Sequence, residues 1–331
     1  MLIPNLVDSF GRTHDYLRIS LTERCNLRCT YCMPEEGIQL RDKAEFMTAE
    51  ETIAIAKTFV DLGVKKIRLT GGEPLIKRNA EMIIRALGDL PIELTLTTNA
   101  VLVDRFIQIF KDAGIRSINV SLDSLDESRF NQISRRNEFQ RIRKNIDLLL
   151  QEGFEVKINA VLMRGENEQE IADFIAWTQR EAVHVRFIEF MPFDGNNWHW
   201  DKKISYNEIL QAVATHFGPE SFEALPGKAH DTARNFRMTN APGTFGIIST
   251  VTNPFCDSCN RIRLTADGKV KNCLFSNDEV DLLRAYRQEE NLEKLIRTAI
   301  LQKKKARAGH PPFTDKSVED LHNRSMISIG G

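Results

Sequence analysis

The feature that most constrains the fold of this sequence is a regular alternation of short strand-like segments with longer helix-like ones. Six strands are predicted in the first part of the chain, at Leu17–Leu21, Lys66–Thr70, Glu93–Thr97, Ser117–Leu122, Glu155–Leu162 and His184–Phe190. A segment of helical periodicity follows each of the first five strands, and the unit recurs about every 30 residues. Crossovers of this length join parallel neighbours, so the alternation predicts βα units around a parallel sheet.

The side chains of these strands alternate between an aliphatic face and a polar one. The polar set comprises Arg18, Ser20, Thr22, Arg68, Thr70, Thr95, Thr97, Asn119, Ser121, Asp123, Lys157, Asn159, Glu189 and Met191. A closed eight-stranded barrel would fill its interior with Val, Ile and Leu instead. The pattern therefore predicts an α/β fold, an open (βα)6 partial TIM barrel whose polar inner face binds an anionic ligand. A sheet with one solvated face is the alternative, although parallel sheets rarely expose a face.

The regular alternation of strand-like and helix-like segments ends after the sixth strand. A capped helix from Ser205, two short strands and a hairpin around Asp267-Gly268 are predicted there, and the chain ends in Gly330-Gly331. We predict two regions, a partial barrel over 1–193 and a C-terminal region over 194–331 that covers the mouth of the barrel.

The charge and cysteine content narrow the class of protein. The net charge is −1, which gives no reason to expect nucleic acid as a partner. The N-terminus lacks a secretory leader, and no apolar run approaches the ~20 residues that span a bilayer. We therefore expect a cytoplasmic protein that binds no membrane. In a reducing compartment its six cysteines are more plausible as ligands than as disulfides.

The cysteines fall into two triplets, listed here in chain order: Cys25, Cys29 and Cys32, then Cys256, Cys259 and Cys273. A structural zinc site normally has four Cys or His ligands, and the closest histidine to the first triplet is His14. A 4Fe–4S cluster held by three cysteines leaves one iron open to another ligand. We predict such a cluster at each triplet, at opposite ends of the cavity. A zinc ribbon short of one ligand remains an alternative for the second.

Two motifs resemble the radical S-adenosylmethionine (SAM) superfamily. The first is C-x3-C-x2-C with an aromatic residue, Tyr31, before the last cysteine, and the second is Gly71-Gly72-Glu73-Pro74 after the second strand. In that superfamily the methionine end of SAM binds the open iron, and the glycine-rich turn meets its amino group. Taken alone, the second motif indicates only a strand-to-helix turn with a proline near the helix start.

Further segments narrow the resemblance, namely GRTHDYLRIS, KKIRLTGGEPL, TLTTNA, INVSLDSLD, RFIEFMPF, NPFCDSCNRIRLTADGKVKNCLF and the final Gly-Gly. Together they resemble the GTP 3′,8-cyclase family of molybdenum cofactor biosynthesis. The resemblance implies two 4Fe–4S clusters and SAM as cofactors. It also implies a reaction in which a 5′-deoxyadenosyl radical takes hydrogen from the ribose 3′ carbon of GTP. The ribose then joins guanine carbon 8, giving 3′,8-cyclo-7,8-dihydro-GTP.

The resemblance also implies roles for individual residues. SAM would contact Tyr31, Gly72, Ser121 and Met191. GTP would contact Arg18, Arg68, Thr97, Lys157, Arg261 and Arg263, since guanidinium groups bind phosphates bidentately. The Gly330-Gly331 tail would complete the site. The implied partners are an electron donor protein, the next enzyme of the pathway (cyclic pyranopterin monophosphate synthase) and a second copy in a homodimer.

Two other functions remain open from the sequence. Another radical SAM enzyme with an auxiliary cluster, such as a peptide-maturing enzyme, would share both triplets. It would not need the Arg261 and Arg263 pair or the Gly-Gly end. A non-catalytic iron–sulfur or zinc module would leave the glycine-rich turn and the polar inner face unexplained.

Overall fold

The computed structural model describes residues 5–33, 41–196, 198–313 and 323–330. The strands are β1 Tyr16–Ser20, β2 Lys66–Thr70, β3 Glu93–Thr98, β4 Ser117–Ser121, β5 Glu155–Leu162, β6 His184–Glu189, β7 Phe222–Ala224, β8 Arg234–Met238, β9 Thr244–Ile248, β10 Arg261–Leu264, β11 Lys269–Lys271 and β12 Val280–Asp281. The helices are α1 Ala49–Asp61, α2 Ala80–Gly88, α3 Ile107–Asp112, α4 Glu127–Ser134, α5 Phe139–Gln151, α6 Ile171–Arg180, α7 Tyr206–Phe217, α8 Leu282–Arg287, α9 Leu292–Leu301 and α10 Met326–Ile329.

All twelve strands belong to one sheet, in the order β12-β11-β10-β1-β2-β3-β4-β5-β6-β9-β8-β7. The eight strands from β10 to β9 in this order are parallel, and antiparallel strands extend both edges. Within the described residues β9 and β10 do not pair, so the sheet stays open. The predicted open α/β barrel of six βα units is confirmed. Strands β9 and β10 of the C-terminal region add a parallel neighbour on each side, which the sequence did not predict.

Capping residues explain where the principal helices begin. The Oγ1 atom of Thr48 accepts a hydrogen bond from the backbone N–H of Glu51 at 3.2 Å. The Glu51 carboxylate accepts one from the Thr48 N–H in return at 2.8 Å. The sequence Thr48-Ala-Glu-Glu51 predicts this capping box, which satisfies two donors that a helix start leaves unpaired. Ser205 and Glu208 begin α7 in the same way.

Two helical segments differ from the prediction. One helix is predicted from about residue 104 to 113, but the chain forms a 3₁₀ turn at Val103–Arg105 and then α3. Helix α4 is not predicted, because its eight residues offer only a short apolar stripe of Phe130 and Ile133. The Asp126 side chain caps this helix by accepting a hydrogen bond from the Arg129 N–H at 2.8 Å.

The aliphatic faces of the strands form the core against the helices. Leu17, Ile19, Ile67, Leu69, Ile118 and Val120 are fully buried. Burying each such side chain stabilises the fold by about 1.5–3 kcal/mol. The polar residues between them therefore face the inside of the partial barrel, as predicted. None of the helices described is both long and apolar enough to cross a membrane.

The prediction for β6 is wrong in its alternation. Lys157 pairs with His184 and Asn159 with Arg186, so His184 and Arg186 share the polar inner face. Glu189 instead pairs with Leu162 on the aliphatic face. Its buried carboxylate accepts hydrogen bonds from the backbone N–H groups of residues 251 and 252, at 2.8 and 3.0 Å. Those bonds offset the cost of burying a polar side chain among aliphatic ones.

Candidate functional site

The loop after β1 holds the first cysteine triplet in a fixed conformation. Its backbone pairs with the end of α4, since the N–H groups of Arg28 and Thr30 donate to the carbonyls of Ser134 and Ile133, each at 2.9 Å. The N–H groups of residues 32 and 33 both donate to the Cys29 carbonyl at 3.0 Å. Cys25, Cys29 and Cys32 are free thiols and half-buried.

The surroundings of this triplet suit thiolates bound to a cation. The Leu27 N–H and the Asn99 side-chain amide approach Cys25 Sγ at 3.4 and 3.7 Å. Burial, with the nearby Glu73 carboxylate, raises the pKa of Cys25 to about 11. Burial and the charge of Cys25 raise the pKa of Cys32 to about 12. These thiols ionise at neutral pH only when a positive centre binds them, which is how iron–sulfur ligands behave.

The turn Gly71–Pro74 packs directly on this loop. The N–H groups of Gly72 and Glu73 donate to the carbonyls of Thr22 and Arg24, at 2.7 and 2.8 Å. A Cβ atom on Gly72 would lie 2.2 Å from the Arg24 carbonyl oxygen, so a side chain there would displace the loop. The glycine is therefore needed for this close approach.

Glu73 connects the turn to the next strand. Its side chain is buried and accepts hydrogen bonds from the Thr98 hydroxyl at 2.8 Å and the Asn99 N–H at 2.7 Å. Burial raises the pKa of Glu73 to about 7. Because the Asn99 side chain in turn contacts Cys25, the glutamate helps to hold a neighbour of the first triplet. The sequence did not single out Glu73 or Asn99 for this role.

The residues predicted to contact SAM lie at the same end of the sheet as the first triplet. The Tyr31 hydroxyl donates to Asp123 at 2.8 Å, and Asp123 accepts from the Val161 N–H at 2.9 Å. Ser121 is the last residue of β4, and Met191 follows β6 and packs against an apolar cluster that includes Ile329. Gly72 completes the set. Ligands of open α/β sheets bind at these carboxyl ends. Contact with SAM stays a prediction for all four residues.

The second triplet lies at the opposite end of the parallel strands. Cys256 and Cys259 come just before β10, and Cys273 follows β11. Because β10 runs parallel to β1, with Arg261 opposite Tyr16, these cysteines lie beyond the amino end of β1. The first triplet lies beyond its carboxyl end. At about 3.3 Å per residue, β1 separates the two sites by roughly 16 Å, a length that suits a nucleotide.

The donor set at each triplet fits an iron–sulfur cluster. Among the described residues, no three His, Cys, Asp or Glu side chains form a group that could hold a metal ion. In a four-iron cluster each cysteine sulfur binds a different iron, so the three sulfurs lie farther apart than the ligands of a single metal ion. The thiols of each triplet still act on one another. Burial is the main cause of the raised pKa of Cys29. The charge of Asp123 raises it further, and so do the charges of Cys32 and Cys25.

The inner face between the two triplets carries a band of cations, which we call the basic band. It consists of Arg18, Arg68, Lys157, Arg186 and Arg263. Arg263, Arg18 and Arg68 are direct cross-strand neighbours. Burial and the charge of Arg68 lower the pKa of Arg186 to about 9, and burial and Arg261 lower that of Arg263 to about 10. Such repulsion favours a bound anion.

Parts of the basic band lack partners within the described chain. Arg68 Nη1 and the Nε and Nη2 atoms of Arg186 are buried and donate to no hydrogen-bond acceptor among the residues described. A buried guanidinium N–H without an acceptor is costly, and phosphate oxygens would supply acceptors. Sequence reasoning missed Arg186. If the inner face of β6 is taken to begin at His184, which lies opposite Lys157, the alternation puts Arg186 on that face as well.

The remaining residues predicted to contact GTP lie around this band. Thr97 Oγ1 accepts from the Asn119 amide at 3.5 Å, next to Lys157 in the sheet register. Arg261 packs its guanidinium over the Phe255 ring, 4.8 Å from the ring centre, and donates to the His230 carbonyl at 2.7 Å. The structure therefore places the predicted residues on one face of the sheet. Their role in binding stays a prediction.

The C-terminal tail reaches the inner face of the barrel. Arg263 Nη1 donates to the Gly330 carbonyl at 2.7 Å. A Cβ atom on Gly330 would lie 2.5 Å from Thr70 Oγ1 and 2.9 Å from the Cβ atom of Ser20. Gly330 therefore lies against the ends of β1 and β2, and its role in the site stays a prediction. Gly331 lies outside the described residues.

An ion pair that the sequence did not indicate fixes this tail. The Arg324 guanidinium contacts both carboxylate oxygens of Asp267 at 3.0 Å, and Asp267 is buried. Arg324 also contacts Glu279 at 2.5 Å. Burial opposes ionisation of Asp267, but hydrogen bonds from Arg324 and Thr265 hold its pKa at about 2. A bidentate, partly buried pair of this kind holds the tail more firmly than an exposed one.

Known proteins resemble both parts of the chain. A family model described as the Radical SAM superfamily matches residues 19–178, and one described as Molybdenum Cofactor Synthesis C matches residues 183–308. The structure also resembles that of Streptococcus suis SuiB bound to S-adenosylmethionine, with a TM-score of 0.66 over 86% of this chain and 66% of that one. At 16% identity this likeness concerns the fold alone.

Curated relatives extend the match over nearly the whole chain. The Drosophila melanogaster protein named Molybdenum cofactor biosynthesis protein 1 is 46% identical over 313 residues, which are 93% of this chain and 55% of that protein. This chain thus spans about half the length of several curated relatives. A protein of Listeria welshimeri named GTP 3′,8-cyclase is 40% identical over 300 residues, which are 89% of this chain and 90% of that protein. The chain belongs to the radical SAM superfamily and, within it, to the GTP 3′,8-cyclase family of molybdenum cofactor biosynthesis.

Proposed function

We propose that this protein is a radical SAM GTP 3′,8-cyclase, a lyase that makes 3′,8-cyclo-7,8-dihydro-GTP for the molybdenum cofactor. The observation that carries the proposal is the basic band between two cysteine triplets at opposite ends of β1. A polyanionic nucleotide in that band would reach both triplets at once. Membership of the family supports the same activity.

Each triplet would hold one 4Fe–4S cluster with an open iron. Cys25, Cys29 and Cys32 would ligate the first, next to Tyr31, Gly72, Ser121 and Met191 for SAM. That cluster and SAM would supply the radical chemistry that removes hydrogen from the ribose 3′ carbon and joins this carbon to guanine carbon 8. Cys256, Cys259 and Cys273 would ligate the second cluster, towards which the guanine base would point.

The chain's own residues would bind GTP and hold it still. Arg68 is buried, and the half-buried Lys157 and Arg186 offer further cationic donors for the triphosphate, with Arg18 and Thr97 beside them. Arg261 lies opposite Tyr16, nearer the second triplet, whereas Arg263 lies level with Arg18, where it contacts the Gly330 carbonyl. In a cavity of low dielectric constant these contacts are stronger than in water. The tail, fixed by Arg324, would help to exclude water from the reacting carbons.

The partners and the location that we propose for the enzyme follow from this chemistry. Reductive cleavage of SAM needs an electron donor protein, and the product needs a consuming enzyme, for which cyclic pyranopterin monophosphate synthase is the family's partner. We also propose a homodimer, a cytoplasmic location and no nucleic-acid or membrane partner. The location suits six free thiols. The division into a barrel over 1–193 and a cluster-bearing region over 194–331 is part of the same proposal.

One anaerobic experiment tests the function. The protein is reconstituted with iron and sulfide, then incubated with dithionite, SAM and GTP. We expect about eight irons per chain from two four-iron clusters, together with 5′-deoxyadenosine and a cyclised GTP product. Absence of 5′-deoxyadenosine would exclude radical SAM chemistry. Its formation without a GTP-derived product would favour a peptide-maturing enzyme, and zinc at the second triplet would refute the second cluster.

A further inference from the structure

A buried lysine contacts the second triplet from outside the basic band. Lys303 follows α9, and its side chain is almost fully buried, with 4% of the residue exposed. Its ammonium group approaches Cys259 Sγ at 3.7 Å and the Arg261 carbonyl at 3.0 Å, and it also donates to the Asn272 carbonyl. An ammonium group has three donors and no acceptor. All three donors are therefore directed at the segments that carry the triplet.

The charge of Lys303 calls for a compensating anion. Among the residues described, its ammonium group contacts a cysteine sulfur and two backbone carbonyls but no carboxylate, and a buried cation without a counter-ion is costly. By contrast, its neighbours Lys304 and Lys305 are exposed. An iron–sulfur cluster with three thiolates carries net negative charge, which would provide the missing compensation.

The first triplet has a different electrostatic environment. The groups that contact Cys25 Sγ are neutral, namely a backbone N–H and the Asn99 amide. The buried Glu73 side chain belongs to the turn that packs on this loop, and the Arg28 guanidinium donates to the Cys25 carbonyl at 2.5 Å, not to a sulfur. Among the contacts of the described residues, a charged side-chain nitrogen therefore reaches a cysteine sulfur at the second triplet but not at the first. Charge and hydrogen bonds near the sulfurs are among the factors that set a cluster's reduction potential.

We propose that Lys303 is a positioning residue that raises the reduction potential of the second cluster and makes it easier to reduce than the first. Reduction adds one electron, from dithionite in the test below, and hence one negative charge beside the ammonium group. A nearby buried cation stabilises the reduced form more than the oxidised form. This inference rests on the two-cluster assignment of the proposed function.

The test compares three substitutions at Lys303 with one at its neighbour. Lys303→Met keeps most of the length of the side chain but removes its charge and donors, whereas Lys303→Gln keeps donors without charge. Lys303→Arg restores both. Lys304→Met is the matched control, since that side chain is exposed. Each full-length protein is reconstituted anaerobically and titrated with dithionite through redox mediators while electron paramagnetic resonance is recorded. The first cluster's signal is identified by its response to added SAM.

We expect a more negative potential for the second cluster in the Met and Gln variants, at unchanged iron content. The Arg variant and the Lys304→Met control should keep the parent value, and the first cluster's potential should not move in any of them. Unchanged potentials in the Met and Gln variants would overturn the inference. Loss of four irons in both would overturn it too, because it would show a structural role. A parent protein without a second cluster would instead refute the proposed function on which the inference rests.

Discussion

Replacing Gly72 with alanine should disable the first site through the backbone alone. The added Cβ atom would lie 2.2 Å from the Arg24 carbonyl oxygen, against at least 3.4 Å in an ordinary contact. The loop must therefore retreat by about 1.2 Å unless the turn moves instead. Either movement strains the hydrogen bonds from Gly72 to Thr22 and from Glu73 to Arg24. At about 0.5–1.5 kcal/mol each, their loss costs roughly 1–3 kcal/mol.

The effect on activity should be larger than the effect on stability. A displacement of about 1 Å at a site that positions reacting atoms costs on the order of 10²-fold in rate. We therefore expect 5′-deoxyadenosine to form about 10²-fold more slowly in Gly72→Ala, with the melting temperature lowered by only a few degrees. The rate is measured anaerobically by chromatography of the nucleoside, and the iron content is measured in parallel.

A second glycine provides the control for this experiment. Gly227 is exposed, has no positive φ and has no atom within 4 Å of an added Cβ. Gly227→Ala should therefore match the parent in rate, iron content and melting temperature. If Gly72→Ala also formed 5′-deoxyadenosine at the parent rate, the close approach of the turn to the cysteine loop would not matter for function. The steric reasoning would then be refuted.

Three further substitutions test the basic band and the tail. Arg263→Ala should impair cyclisation of GTP while leaving both clusters bound, since it removes a charged donor but no ligand; loss of iron would mark the arginine as structural. Arg186→Ala should raise the KM for GTP by about 10- to 150-fold, as expected when a charge-assisted hydrogen bond of about 1.5–3 kcal/mol is lost; an unchanged KM would remove it from the site. Arg324→Ala should make the C-terminal tail more susceptible to protease by removing its ion pair with Asp267, and equal digestion of parent and variant would contradict that role.

The sequence predicted the barrel well because its signals are local. The alternation of strand β5 and the capping boxes at Thr48 and Ser205 depend on neighbours within a few residues, and the structure confirms them. The cysteine triplets and the Gly71–Pro74 turn could be recognised for the same reason, because the residues of each motif lie within one short segment of the sequence.

The features that the sequence did not predict depend on contacts between segments that are far apart in the chain. Lys303 follows an ordinary helix in the sequence, and only the fold brings it to Cys259. The pair of Arg324 with Asp267 joins residues 57 positions apart. The alternation of β6 was misread because a glutamate on an aliphatic face has its partners in a loop some 60 residues later. Periodicity contains no information about such partners.

The pairing of β10 with β1 has a consequence for how the chain folds. Strand β1 gains its second neighbour only from residues near 262, and β6 gains its own from residues near 246. Closing such long loops is slow compared with forming a βα unit. A protein shortened to residues 1–193 would leave β1 and β6 as bare, parallel sheet edges, which promote self-association. We therefore expect such a fragment to aggregate unless the C-terminal part, supplied separately, adds its strands to both edges.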